Sequence, residues 1–145
     1  MPGWVETAVS DYTSRMPADF AVQWKEVKAE PRGASGSAQQ WMAKEAQRIQ
    51  EQITTPCHRV LLDEHGKDLT TKQLAARMNF WRDQAVPVAI IIGGPDGVDA
   101  AIKTQANETL RLSSLTLPHP MVRVVLAEQL YRGWSILANH PYHRA

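Results

Sequence analysis

The sequence predicts an α/β fold: a mostly parallel sheet flanked by helices on both faces. Three observations carry that expectation. Five segments place apolar residues at helical spacing. Between them lie short apolar runs of strand length, and strands alternating with helices argue for a parallel sheet. Three strand ends carry turn chemistry, "LDEHG", "IGGPDG" and "SLTLPHP", and in open sheets ligands bind beyond the carboxyl ends of the strands.

Element by element the order reads α-β-α-β-α-β-α-β-α. The opening "PGWVETAVSDYTSRM" spaces Trp4, Val5, Ala8, Val9, Tyr12 and Met16 as one helical stripe, with Pro2 near its start. In "FAVQWKEV", Phe20, Val22 and Trp24 alternate as in a half-buried strand. "AEPRGASGSAQQ" is rich in Gly, Ser and Pro and reads as a loop. "AQQWMAKEAQRIQEQI" is a helix with Met42, Ala46, Ile49 and Ile53 on one face. "HRVLLDEHGK" contains a buried strand, Val60 to Leu62, that ends at a carboxylate and a turn glycine.

"TTKQLAARMNFWRDQ" is a helix with a threonine N-cap and with Leu74, Met78 and Trp81 on one side. "VPVAIIIGGPDG" is the clearest strand; its unbroken apolar run suits burial on both faces, and it stops at Gly93 and Gly94. "VDAAIKTQAN" is a short helix, "LRLS" a strand, and the chain closes on a long helix. That helix carries Val122, Leu126, Leu130, Gly133, Trp134 and Leu137 on one face, with Val125 and Ile136 nearly opposite. A helix apolar on more than one side is deeply buried or shared with a second subunit, and Gly133 admits another backbone.

Composition narrows the function classes. The 145 residues suit a single domain spanning 1–145, and no repeat, linker or low-complexity stretch divides them. Sixteen basic against fifteen acidic residues advertise no polyanion partner. No apolar run approaches the roughly 20 residues of a membrane span, and no signal pattern opens the chain. One cysteine, Cys57, excludes an internal disulfide, so a cytoplasmic setting is expected. Three of the five histidines (His119, His140, His143) fall in the last 27 residues with Arg123, Arg132 and Arg144, a candidate anion-facing end.

Each motif leaves alternatives open. The glycines of "IIIGGPDG" either let a backbone approach a ligand or make a tight turn; the spacing is neither a dinucleotide fingerprint nor a P-loop. Asp63 and Glu64 are a ribose-binding or general-base pair, or solvated turn carboxylates. His140 and His143 flank Pro141 with no cysteine or carboxylate to complete a metal set, so no metal is expected. No nucleophile elbow is present, which removes the usual hydrolase readings.

Taken together, "IIIGGPDG", "LSSLTLPHPMVRVVLAEQLYRGWSI" and the terminal "NHPYHR" closely resemble the ribosomal RNA large subunit methyltransferase H family, part of the SPOUT class. The similarity spans essentially the whole chain and is densest from Val88 to Arg144. It implies an S-adenosyl-L-methionine-dependent enzyme, a homodimer, that methylates N3 of a pseudouridine in 23S rRNA of assembled ribosomes. It also implies a C-terminal trefoil knot, which no periodicity argument yields.

Carried over by motif, the resemblance implies cofactor binding by Leu62, Gly93, Gly94, Ser113, Ser114, Leu115, Thr116, Leu117 and Pro118. Arg123, His140 and Tyr142 are expected at the RNA, with His143 accepting a proton and Arg144 stabilising the resulting anion. Two departures stand out. Family members carry a short hydrophobic strand before the segment matching "MPGWV", so a first strand is apparently missing. The loop "AEPRGASGSAQQ" holds one basic residue, Arg32, where relatives often carry several. Two rivals follow: a catalytically silent ribosome-binding relative, and a small-molecule α/β enzyme using a nucleotide cofactor.

Overall fold

The computed structural model describes residues 2–33, 35–53, 55–94 and 96–144. The chain forms two compact units, one from Met1–Trp24, Asp68–Ala85 and Leu112–Ala145, the other from Lys25–Lys67 and Val86–Arg111.

The second unit holds the sheet, with strands β1 (His58–Asp68), β2 (Val88–Ile92) and β3 (Glu108–Arg111) in the order β2-β1-β3. β1 and β2 run parallel, from His58 opposite Val88 to Leu62 opposite Ile92. Helix α2 (Ala38–Gln52) begins at Ser37, whose side chain accepts from the Gln40 amide while Gln40 reaches back, a complete capping box. The short helix α4 (Ala100–Gln105) is capped by Asp99. Ala46 of α2, Leu61 of β1, Ile91 of β2, and Val98 and Ile102 form one apolar core. Leu61 and Ile102 are almost wholly shielded, and burial of each stabilises the unit by about 2 kcal/mol.

The other unit is helical: α1 (Gly3–Ser14), a 3-10 turn (Ala18–Phe20), α3 (Thr71–Asp83) and α5 (His119–Leu137). α3 starts at the expected threonine cap, Thr70, again with a capping box, and buries Leu74, Met78 and Trp81 as its periodicity requires. α5 packs on both α1 and α3. Val5, Val9 and Ala127 form the α1–α5 core. A Cβ on Gly133 would stand 2.6 Å from Met78 Sδ and 3.6 Å from Ala75 Cα. What Gly133 makes room for is therefore the Met78 side chain of α3 in the same chain, with the α3 backbone at Ala75 in ordinary contact.

Two expectations need correction. "FAVQWKEV" is not a strand: Ala18–Phe20 is a 3-10 turn and residues 21–33 have no regular structure. The alternating burial is real, with Phe20, Val22 and Trp24 half-buried between exposed neighbours. Alternation alone makes no ladder; Trp24 is held by its indole N–H donating to Thr13 Oγ1 at 2.9 Å. Three strands rather than four are thus present among the described residues. Second, β1 does not stop at Asp63 but continues to Asp68. Gly66 allows this, since a Cβ there would lie within 2.6–2.8 Å of the Leu110 backbone.

Among the described residues, no helix is long and apolar enough to cross a membrane.

Candidate functional site

In the sheet unit, the parallel register ends with Leu62 opposite Ile92, so Gly93 stands just past the carboxyl end of β2 while Leu62 lies beside it within β1, which runs on to Asp68. Both are half-buried. The chain then turns tightly: the Gly97 amide donates to the Gly94 carbonyl at 3.0 Å, and Gly97 has φ 88°. Pro95 of this motif lies outside the described residues. A Cβ on Gly93 would lie 2.7 Å from Val98 Cγ1, and one on Gly94 2.9 Å from Glu45 Oε1. Packing within the turn thus already requires both glycines, whatever else their peptide groups hold.

The carboxylates beside this turn serve local structure. Asp63 Oδ1 accepts from the His65 amide at 2.9 Å and Oδ2 lies 3.8 Å from Lys103 Nζ. Glu64 is exposed and pairs with His65 at 3.3 Å. Neither is arranged as a catalytic pair.

In the helical unit, residues 113–118 have no regular structure. Ser113 Oγ accepts from the Leu115 amide at 2.9 Å, a hydroxyl-closed turn that presents the Leu115 side chain outward. That leucine is 75% exposed, a large apolar group left in water. Ser114, Thr116 and Pro118 are exposed and Leu117 is half-buried. Pro118 is the N-cap of α5 and Pro120 occupies its first turn, where a missing N–H costs nothing and φ is already set. His119, the first helical residue, lies with Nε2 3.5 Å from Arg123 Nη2.

The C-terminal residues fold back along α5. Asn139, with φ 55°, reverses the chain, and the His140 amide closes the helix end by donating to the Ser135 carbonyl at 2.8 Å. His140 Nδ1 accepts from the Tyr142 amide at 3.2 Å. The Tyr142 hydroxyl donates to Glu128 Oε1 at 3.1 Å, and its ring meets Tyr131 edge-on at 4.6 Å. Arg132 bonds Glu128 at 2.7 Å, covers the Tyr142 ring at 4.8 Å, and donates from Nη1 to His143 Nδ1 at 3.2 Å.

These contacts fix the protonation chemistry. The bond to Glu128 holds the Arg132 guanidinium more firmly protonated than usual. Burial first, then the Tyr12 hydroxyl and the Glu128 charge, push the Tyr142 phenol up. A guanidinium only donates, so His143 Nδ1 accepts and the neutral ring carries its proton on Nε2.

His140, Tyr142 and His143 are therefore gathered at one place. Arg123 is not: it stands nine residues before Arg132, about 14 Å of helix rise. Arg144 is exposed and forms no ion pair among the described residues. Sequence reasoning singles out neither Glu128 nor the tilted Tyr12–Tyr131 ring contact, with centroids 6.2 Å apart. The Glu128–Arg132 spacing of four was the available signal, since such pairs face each other on a helix. Among the described residues no group of three metal-ligating side chains stands together.

A family model described as "Predicted SPOUT methyltransferase" matches residues 1–143. Among curated proteins, the ribosomal RNA large subunit methyltransferase H of Bordetella pertussis is 56% identical over 145 residues, covering 100% of this chain and 93% of the relative. The protein of the same name from Bordetella avium is 54% identical over 145 residues with the same coverage. That of Cupriavidus taiwanensis is 52% identical over 148 residues, again with 100% and 93% covered.

Proposed function

The chain belongs to the SPOUT methyltransferase family and is a methyltransferase, and from that premise we propose that it methylates N3 of a pseudouridine in 23S rRNA, using S-adenosyl-L-methionine. The observation that carries this reading is the identity of 51–56% to relatives named as large-subunit rRNA methyltransferases, spanning the whole chain.

The cofactor residues are Leu62 within β1, Gly93 and Gly94 just past β2, and Ser113, Ser114, Leu115, Thr116, Leu117 and Pro118 in the loop leaving β3. The loop suits the group. Its peptides lie outside helix and strand, and Leu115 offers an uncovered apolar surface to an adenine face. The cofactor supplies an electrophilic methyl on a sulfonium. The chain's own task is positioning, since attack requires a near-linear approach at about 3–3.5 Å.

The target imide nitrogen must lose its proton. His143 accepts it and Arg144 steadies the anion left behind. On the neutral His143 ring the free lone pair is the one Arg132 covers, so proton uptake displaces that guanidinium. Arg123, His140 and Tyr142 contact the RNA, and the working protein is a homodimer acting in the cytoplasm on the assembled ribosome, with residues 1–145 of each copy acting as one methyltransferase domain.

Radiolabelled cofactor incubated with ribosomes lacking the modification tests the reading. Label on 23S rRNA at a pseudouridine N3 is the expected result. A chain that binds ribosomes and transfers no label is a binding module instead. His143→Gln lowers kcat by roughly 10²-fold if the residue is the base; an unchanged kcat removes it from that role.

A further inference from the structure

Glu45 is the buried carboxylate of helix α2, only 6% exposed. A carboxylate so placed is costly unless it is fully partnered. Three donors surround it: Arg32 Nη1 at 2.6 Å and the Glu30 amide at 2.9 Å on Oε2, and Arg32 Nη2 at 3.4 Å on Oε1. The same guanidinium reaches a second carboxylate, with Nη2 2.8 Å and Nε 3.1 Å from Asp96 Oδ2. Its Nη1 also donates to the Glu30 carbonyl at 2.6 Å, and it lies 5.4 Å from the Trp41 ring. Arg32 is thereby held more firmly protonated, the Glu45 bond being the largest cause.

One side chain thus ties α2 to the turn that leaves β2. That turn is fixed twice: at Asp96 by the ion pair, and at Gly94, where the Glu45 carboxylate packs so closely that a Cβ would meet Oε1 at 2.9 Å. Resting on the reading that Gly93 and Gly94 hold the cofactor, we propose that Arg32 and Glu45 are positioning residues for the methyl donor, bracing the Gly93–Gly94 turn in its binding shape. A loosened turn must be ordered when the cofactor binds, which weakens binding without touching the chemical step. The planar fork is needed at both carboxylates, so lysine does not substitute. Arg32, committed to this brace, is not an RNA-binding residue.

Calorimetric titration of the full chain with S-adenosylmethionine tests this, with thermal melts run alongside. Arg32→Ala is expected to weaken cofactor binding roughly tenfold, the scale at which supporting contacts usually act. Arg32→Lys recovers little of that loss, and Arg32→Ala/Glu45→Gln is no weaker than the worse single variant, because the two act as one unit. In turnover with unmodified ribosomes, KM for the cofactor rises in step. KM for ribosomes and kcat at saturating cofactor hold within about twofold, whereas a lost fold lowers kcat and leaves KM alone.

A folded Arg32→Ala protein with wild-type cofactor affinity overturns the proposal. If that variant does not fold, the exposed Asp96→Asn decides: roughly threefold weaker binding supports the brace, on the order expected for losing one charged bond, and unchanged binding overturns it. A wild-type chain that takes up no S-adenosylmethionine removes the cofactor reading itself. That result is distinct from variants that bind as well as a competent wild type.

Discussion

Tyr142 shows what single side chains contribute near the end of this chain. Its phenol is shielded, donates to Glu128 Oε1 at 3.1 Å, and stands above its ordinary pKa of 10.0 chiefly through burial. The folded protein therefore binds this proton more tightly than the unfolded chain does. Its contribution to stability is complete below pH 10 and is lost as pH rises beyond that. Melts between pH 8 and 11 should show Tm falling above pH 10, and Tyr142→Phe should flatten that fall. Ala85 sits just past α3 with φ 55°, a left-handed conformation that costs a side chain and suits glycine. Ala85→Gly is expected to stabilise the protein by about 0.5–1 kcal/mol in denaturant melts. Local chemistry of this kind is partly readable in sequence, since proline in a first helical turn is a helix-start signal and Pro120 stands there in α5. Arg32 was not, because its partners Glu45 and Asp96 lie 13 and 64 residues away and no local spacing marks them.

Elements were legible where one periodicity sufficed. The stripe of Leu74, Met78 and Trp81 with a Thr70 cap specified α3, and the unbroken run of β2 specified a strand. The failure at "FAVQWKEV" has a physical cause. Alternation reports which side chains meet the interior, while a strand also needs a neighbour for its peptide groups, and pattern cannot supply one. The end of β1 was misjudged for the opposite reason, since Gly66 read as a turn when its small size serves a close crossing of Leu110. Gly66→Ala drives a methyl into backbone, which cannot move aside as a side-chain tip can. A loss of about 3 kcal/mol is expected for such overpacking, measurable as a lower urea midpoint. A loss under roughly 0.5 kcal/mol would contradict the crossing, being no more than an ordinary surface change.

For the whole molecule, family membership follows from a match across residues 1–143, while motif pieces alone left several chemistries open. "IIIGGPDG" by itself leaves a ligand-facing backbone and a tight turn both open; beside "LTLPHP" and "NHPYHR" it belongs to the pattern that resembles a methyltransferase. Leu115 at 75% exposure and Trp4 at 55% are large apolar groups left in water, surface that the proposed cofactor site and dimer would cover. Sedimentation should accordingly give a dimer, twice the 16.2 kDa chain mass, and a monomer at micromolar concentration would contradict the proposed dimer. Methylation of rRNA is tested by position-resolved mapping of 23S rRNA after ribosomes lacking the modification meet this protein and labelled S-adenosylmethionine. One new methyl at N3 of a pseudouridine is the predicted result; an unlabelled 23S rRNA, with active protein and intact ribosomes, would contradict it.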